Sequence, residues 1–350
     1  MNSPNHILIL TPGFPKDEND FNCIPPLQEF LLKLHSIYPS TVISVIAFQY
    51  PFQSELYCWN GININPLDGK NTKLKKPFVW SKAIRKAKKV HKAIPVDVVH
   101  SLWLGECAMV GNILSKRFGC KHICTLMGQD VKANNGYLRF AKSEKTNFIA
   151  LSKNQAQEFT KLTNRKADEI IHWGIEDQNY EKVDRGIDLL AVGSLIPLKN
   201  YSLFITLVGE LKTDNPKIKC KLVGSGPELA SLKKLSIEKG VSENIEFTGL
   251  LSRHEIFKLM QKSKIFVHPS KFEGFGYVFA EALVNGMSIV SYNVGYAQNH
   301  PKWFIAKDEQ DFMNIIKRLL VSKLDFEPVN LFPLQETVDR YAALYEISSI

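Results

Sequence analysis

The sequence predicts an α/β protein built of two doubly wound parallel-sheet domains, and three observations carry the prediction. Short runs rich in Val, Ile, Leu and Phe alternate with longer helical patterns from one end of the chain to the other. Most of these runs are apolar on both faces, as strands are when helices cover both sides of a sheet. With 350 residues the chain also exceeds the length at which one core usually stops growing, so two domains are the default.

In the first half, strands are expected at 6–12, 41–48, 96–103, 122–128, 147–152 and 170–175, with helices such as PPLQEFLLKLHS and ECAMVGNILSKRFG between them. Pro25 and Pro26 open the first of these helices, and Gly119 closes the other. In the second half, strands at 188–194, 219–226, 245–249, 265–270, 288–295 and 303–306 alternate with YSLFITLVGELK, GPELASLKKLSIEKG, SRHEIFKLMQKS and GYVFAEALVNG. The polar segment EDQNYEKVDRG (176–186) reads as the linker. The expected division is a domain at 1–178, a second at 186–325, and a tail at 326–350 whose helix, LQETVDRYAALYEI, packs back on the first domain.

Apolar residues make up 45% of the chain and charged residues 23%, the balance of an ordinary soluble globular protein. No apolar run approaches the ~18 residues of a membrane helix. The N-terminus offers only Ile7 to Leu10, too short for a signal-peptide core. Six cysteines form neither CxxC pairs nor zinc spacing with histidine, so they read as reduced cytosolic thiols, and a cytoplasmic location is expected.

The net charge of +9 is uneven: residues 1–182 hold 24 Lys+Arg against 16 Asp+Glu, and residues 183–350 hold 20 against 19. The basic excess therefore belongs to the first half. Residues 70–92 contain ten Lys+Arg and no acid, while apolar residues recur at Val79, Ala83, Ile84, Ala87 and Val90, the pattern of an amphipathic basic helix. Its plain reading is a solvated outer face. Its sharper reading is contact with an anionic membrane surface, which would make the protein peripheral on the inner face of the membrane. No nucleic-acid module accompanies the charge, so nucleic acid is not an expected partner.

Ligands of open parallel sheets bind beyond the carboxyl ends of strands, so four strand ends of the second half are read together. They are AVGSLIPLKN (191–200), LVGSGPE (222–228), HPSKFEGFG (268–276) and YNVGY (292–296). Gly193, Gly224 and Gly226 let backbone approach a ligand and present N–H groups near helix starts, where an anion is favoured. Lys199 adds a mobile charge suited to phosphate, and the group reads as a diphosphate cradle. Glu273 and Glu281, eight positions apart, suit hydroxyl groups, because an ionised carboxylate only accepts hydrogen bonds and can take two neighbouring O–H donors. Diphosphate flanked by two polyols describes a nucleotide sugar. Leu229 stands where a dinucleotide-binding G-x-G-x-x-G loop needs its third glycine.

FVHPSKFEGFGYVFAEALVNGMSIV resembles the glutamate–seven–glutamate signature of the retaining GT-B glycosyltransferases, in particular glycosyltransferase family four. AVGSLIPLKN is similar to that family's strand–loop–lysine, LVGSGPE to its following glycine turn, and VVHSLW and TLMGQDV to weaker positions of the first half. The resemblance implies a GT-B fold of two Rossmann-like domains facing across a cleft, with the donor on the second and the acceptor on the first. It implies that Lys199 meets the donor diphosphate and stabilises the departing charge. Gly274, Phe275 and Gly276 would offer amides, Glu273 would hold the transferred sugar, and Glu281 the ribose. Gly13, Gly193, Ser194, Gly224 and Gly226 would line the donor, and His100 would be a catalytic polar group. Asp130 and Met127 would lie toward the acceptor.

The implied reaction is metal-independent and cofactor-free transfer, with retention, of a hexose from a UDP-, GDP- or ADP-sugar to a hydroxyl of a glycan or glycolipid. The chain departs from the family pattern at Ser194, where Arg is common nearby, and at Met127, where many members carry His. TPGFP keeps only Gly13 of a frequent Gly-Gly pair, and YAQNHP replaces a frequent Pro-Glu. Two other readings stay open: a non-catalytic nucleotide-sugar binding module, and a GT-B epimerase or phosphorylase.

Overall fold

The computed structural model describes residues 6–347. Residues 1–5, part of the leader reading, and 348–350, the end of the predicted tail, lie outside the described residues. The chain forms two compact units, one reaching to Gly174 and resuming at Leu334, the other spanning Ile175–Pro333.

The first unit begins with β1 (His6–Gly13), α1 (Pro25–Ile37), β2 (Val42–Tyr50), β3 (Tyr57–Trp59), β4 (Ile62–Pro66) and α2 (Lys76–Ala93). It continues with β5 (Val98–Leu102), α3 (Glu106–Phe118), β6 (Lys121–Thr125), β7 (Thr146–Ala150), α4 (Lys153–Thr163) and β8 (Glu169–Ile170). Its sheet has the order β3-β4-β2-β1-β5-β6-β7-β8, parallel except at β3–β4. Leu8, Leu10, Ile46, Phe48 and Val99 pack one face of the sheet against Ala83 and Ala87 of α2 and Val110 and Leu114 of α3. Residues on both faces of β1 are buried, which makes it read as an unbroken apolar run. The β3–β4 hairpin was not expected from the sequence. Its Trp59↔Ile62 pair closes over Asn60-Gly61, both left-handed at φ 46° and 82°, the tight turn that Asn-Gly favours.

The second unit contains β9 (Ile187–Val192), α5 (Tyr201–Asp214), β10 (Cys220–Val223), α6 (Leu229–Glu238), β11 (Ile245–Gly249) and α7 (Arg253–Gln261). After these come β12 (Ser263–His268), α8 (Tyr277–Val284), β13 (Ser288–Ser291), β14 (Trp303–Ile305) and α9 (Glu309–Val321). Every strand pair is parallel, in the order β11-β10-β9-β12-β13-β14. The order reverses between β9 and β12, so the loops after these two strands stand side by side at the switch point. A capping box of Ser252 and Glu255 starts α7.

The last helix, α10 (Leu334–Tyr345), belongs to the first unit. Its Tyr341 lies 5.0 Å from the Phe30 ring and 6.1 Å from that of Trp173, and Thr337 Oγ1 donates to the His172 carbonyl at 2.9 Å.

The boundaries differ from the sequence expectation at three places, each for a hydrogen-bonding reason. Ile175 N–H donates to the Phe332 carbonyl at 2.8 Å, which puts residues 175–178 in the second unit rather than the first. Val329 N–H donates to the Leu283 carbonyl at 3.0 Å, so the first part of the expected tail also stays with the second unit. Arg185, read as linker, is buried and donates to the carbonyls of Met260 (2.9 Å) and Asn285 (2.7 Å).

Candidate active site

The loops after β9 and β10 are laced together backbone to backbone. Gly193 N–H donates to the Val223 carbonyl at 3.0 Å, and Leu195 N–H to that of Ser225 at 2.9 Å. Glu228 N–H returns to the Leu195 carbonyl at 3.1 Å. A Cβ on Gly224 would strike the Gly193 carbonyl, and one on Gly226 would strike that of Leu195. These glycines thus have a structural reason beside the ligand-facing one: no side chain fits between the two loops. Ser194 is exposed on the same loop.

Lys199 ends a single 3₁₀ turn, Pro197–Lys199, and left-handed Asn200 (φ 53°) redirects the chain into α5. The loop after β12 is tied to this turn, since Lys271 N–H and Ser270 Oγ both donate to the Leu198 carbonyl, at 3.0 and 3.3 Å. The tie brings Glu273 onto Lys199 as an ion pair, with 12% and 18% of their side chains exposed. His268 Nε2 meets the same carboxylate oxygen at 2.7 Å. Burial works to raise the pKa of Glu273, but the His268 hydrogen bond and the Lys199 charge outweigh it and hold the carboxyl at about 2. Burial lowers the pKa of His268 despite Glu273, so the ring is neutral.

The Gly274-Phe275-Gly276 turn follows. The Phe275 side chain is buried, edge-on to Tyr296 (5.9 Å) and Phe332 (5.0 Å), and its carbonyl accepts from Tyr296 N–H at 3.0 Å. Gly276, left-handed at φ 85°, is the N-cap of α8. Glu281 lies in the second turn of α8 and accepts from Arg253 Nε at 2.9 Å. The Arg253 guanidinium sits over the rings of Phe257 (4.8 Å) and Tyr277 (5.5 Å). Each glutamate is therefore paired with a cation of its own.

The first unit buries two of the residues expected at the site. His100 is wholly buried in β5: its Nδ1 meets the Tyr345 hydroxyl at 2.6 Å and its Nε2 the Thr125 hydroxyl at 2.8 Å. Burial pushes its pKa down to about 3. With both nitrogens engaged under α10, it is a core residue and not a catalytic one. Asp130 is buried too, accepting from the N–H groups of Leu104 (2.8 Å), Met127 (3.1 Å) and Gly128 (2.7 Å). It braces the loop from which it projects. Met127 is half-buried on that loop, and Gly13 closes β1 next to Cys23 and Tyr50.

Three site residues were missed from the sequence: Arg253, His268 and Tyr201, the last with a buried hydroxyl beside Gly193 that has no hydrogen-bond partner. Only His268 carried a signal, as a polar residue ending an apolar strand. Among the described residues no group of three or more His, Cys, Asp or Glu is gathered as a metal would require, and no helix is long and apolar enough to cross a membrane.

Comparison with known proteins shows what the chain is similar to. Residues 175–317 match the model of the glycosyl transferases group 1. An uncharacterized glycosyltransferase of Methanocaldococcus jannaschii is 26% identical over 223 residues, which is 61% of this chain and 60% of that relative's length. Among solved structures, the sucrose-phosphate synthase of Thermosynechococcus elongatus superposes with a TM-score of 0.79 at 16% identity, covering 97% of this chain and 98% of its own. Anabaena HepE in complex with UDP and glucose gives 0.72 at 16% identity, covering 98% and 95%. The chain thus has the GT-B fold of these structures, and its residues 175–317 are similar to the glycosyl transferases group 1.

Proposed function

We propose that this protein is a retaining glycosyltransferase that moves a hexose from a nucleotide-diphosphate sugar to a hydroxyl of a glycan or glycolipid. The observation that carries the reading is the Lys199–Glu273 pair at the switch point, beside the laced glycine loops and the start of α8. In this reading the bond from the anomeric carbon to the diphosphate oxygen breaks while the acceptor oxygen bonds to that carbon on the same face, and the acceptor proton passes to the leaving phosphate. Lys199 and the amides at the start of α8 offset the charge that develops there, so no metal is needed. Glu273 takes hydroxyls of the transferred sugar. Glu281, steadied by Arg253, takes the ribose diol.

HepE was solved with UDP and glucose, which makes UDP-glucose the first donor to test, within a thermal-shift panel of UDP-, GDP- and ADP-sugars. Lys199→Ala and Glu281→Ala are each expected to cut turnover by about 100-fold or more, with melting temperature followed alongside. Wild-type turnover in both variants would remove the site assignment. Ser194 and Met127 favour a binding-only module as the competing reading, and donor turnover above background excludes it.

The basic face of the first unit is read as meeting an anionic membrane surface, where glycolipid acceptors would reside. Leu74, in the 3₁₀ turn Lys73–Lys75 that precedes α2, is followed at four-residue spacing by Phe78, Lys82 and Lys86 of α2, with Leu74 88% and Phe78 76% exposed. Lys82 Nζ donates to the Ser54 hydroxyl at 2.9 Å and Lys86 Nζ to the Ser54 carbonyl at 3.2 Å. This pins a loop whose Phe52 and Leu56 are 63% and 61% exposed. Large apolar side chains among lysines, with Glu55 the acid of that loop, suit insertion between anionic headgroups, each lysine adding about 1 kcal/mol near the surface. Flotation with phosphatidylserine vesicles should recover the protein at low salt, and Leu74→Ser with Phe78→Ser should abolish recovery. Equal flotation with neutral phosphatidylcholine vesicles would exclude the charge argument.

A further inference from the structure

Glu273 is gripped from two sides, and both grips fall on one oxygen. Lys199 reaches Oε1 from the 3₁₀ turn before α5, and His268 Nε2 reaches it from the end of β12. Oε2 receives no hydrogen bond among the described residues. His268 itself is wholly buried, its ring 5.8 Å from that of Phe266 and edge-on to Phe279 at 4.9 Å.

The proton on this ring has one place to be. An ionised carboxylate only accepts, so Nε2 carries the hydrogen and Nδ1 is bare. Nδ1 is buried without a hydrogen-bond partner, and protonating it would set an N–H among apolar groups with nothing to receive it. A neutral donor is thereby fixed in a single tautomer. The trio of Lys199, Glu273 and His268 has no net charge, whereas a second cation at position 268 would leave it positive.

We propose that His268 is a positioning residue for Glu273: its neutral Nε2–H, beside Lys199, holds Oε1 so that Oε2 is the oxygen presented to the hydroxyls of a bound sugar. The proposal rests on the reading of Glu273 as the sugar-holding carboxylate. The groups that face Glu273 are Lys199 from the 3₁₀ turn, His268 from β12 and the Tyr201 hydroxyl from α5, whose own ionisation is opposed by burial and by the Glu273 charge. Since His268 stays neutral, the aim of Glu273 does not change across the range in which free imidazole titrates.

His268→Leu removes the donor at comparable bulk, and His268→Gln keeps an N–H that can reach the same oxygen. Circular dichroism checks that both fold. The Glu273 carboxyl is then titrated by carbon-13 NMR in the ligand-free protein, assigned with Glu273→Gln, and kcat/KM for UDP-glucose is measured across pH. In His268→Leu the Glu273 titration should move up by about one unit or more, kcat/KM should fall about tenfold, and the acid limb of its pH profile should rise in step. His268→Gln should restore both measures to within about threefold of wild type. An unmoved Glu273 titration in His268→Leu overturns the proposal. So does a His268→Gln variant no better than His268→Leu, which would make the ring a packing group only. If the wild type does not turn over UDP-glucose, the donor reading fails while the titration still decides the role of His268.

Discussion

A glutamate, an arginine and a histidine show how far residue type under-determines role. Glu281 and Arg253 are 17% exposed or less and lie on different helices, so removing the cation strands a carboxylate in a partly desolvated place. Arg253→Ala should therefore destabilise the protein by roughly 1–3 kcal/mol and weaken binding of UDP, where Arg253→Lys, unable to reproduce the planar contacts with Phe257 and Tyr277, recovers only part. Thermal melts with and without UDP measure both effects. His100 is the opposite case. His100→Ala opens the core beneath Tyr341 and Tyr345 and should cost roughly 2–4 kcal/mol while leaving the UDP dissociation constant unchanged. A changed constant would return His100 to the site. At Glu273 the sign of the pH effect is clear: its folded pKa of about 2 lies below the unfolded value of about 4.3, so its stabilisation is present above the latter and lost as pH falls toward the former.

At the scale of elements, the site is a product of loops that strands and helix starts hold at fixed distance. The loop after β9 touches the loop after β10 through Gly224 and Gly226, and the loop after β12 through Leu198. Gly226→Ala should force the first two apart, lowering melting temperature and abolishing stabilisation by UDP together; retained stabilisation by UDP would show that the lacing is not what shapes the site. Much of this was legible. Glycines and Lys199 at strand ends, and a carboxylate on either side of a Gly-Phe-Gly turn, are local features with local reasons. The β3–β4 hairpin was not read from the sequence: Asn60-Gly61 marks its turn, but three- and five-residue strands are too short for alternation to reveal. The partners of the charged groups were not legible, because Lys199 and Glu273 are 74 residues apart and Arg253 and Glu281 are 28 apart.

At the scale of the whole molecule, buried histidines make stability depend on acid. Burial lowers the pKa of His6, His172 and His268 and takes His100 and His122 to about 3. Their unfolded value is about 6.5, so between these limits the unfolded chain binds protons that the folded chain does not. Stability is therefore full above about pH 6.5 and declines as pH falls toward 3. Differential scanning fluorimetry should show the melting temperature level from pH 8 to 7 and falling steadily from about pH 6.5 to 4. A level profile through that interval would mean that the histidines are not protected as their burial implies. The histidines sit in both units, so the loss should appear throughout the molecule.

The sequence by itself determined the class of fold, the position of the charged groups at strand ends and the basic character of α2. Each of these follows from which residues are apolar and how they are spaced, and spacing is a local property. Only the tertiary structure decided that His100 lies beneath Tyr345, 245 residues away, that α10 completes the first unit while residues 175–178 and Val329 belong to the second, and that each glutamate has its own cation. The physical reason is the same in each case. Periodicity tells which face of an element leaves water, but the group it meets there is set by the packing of elements distant in the chain, and a buried polar group takes its role from that partner.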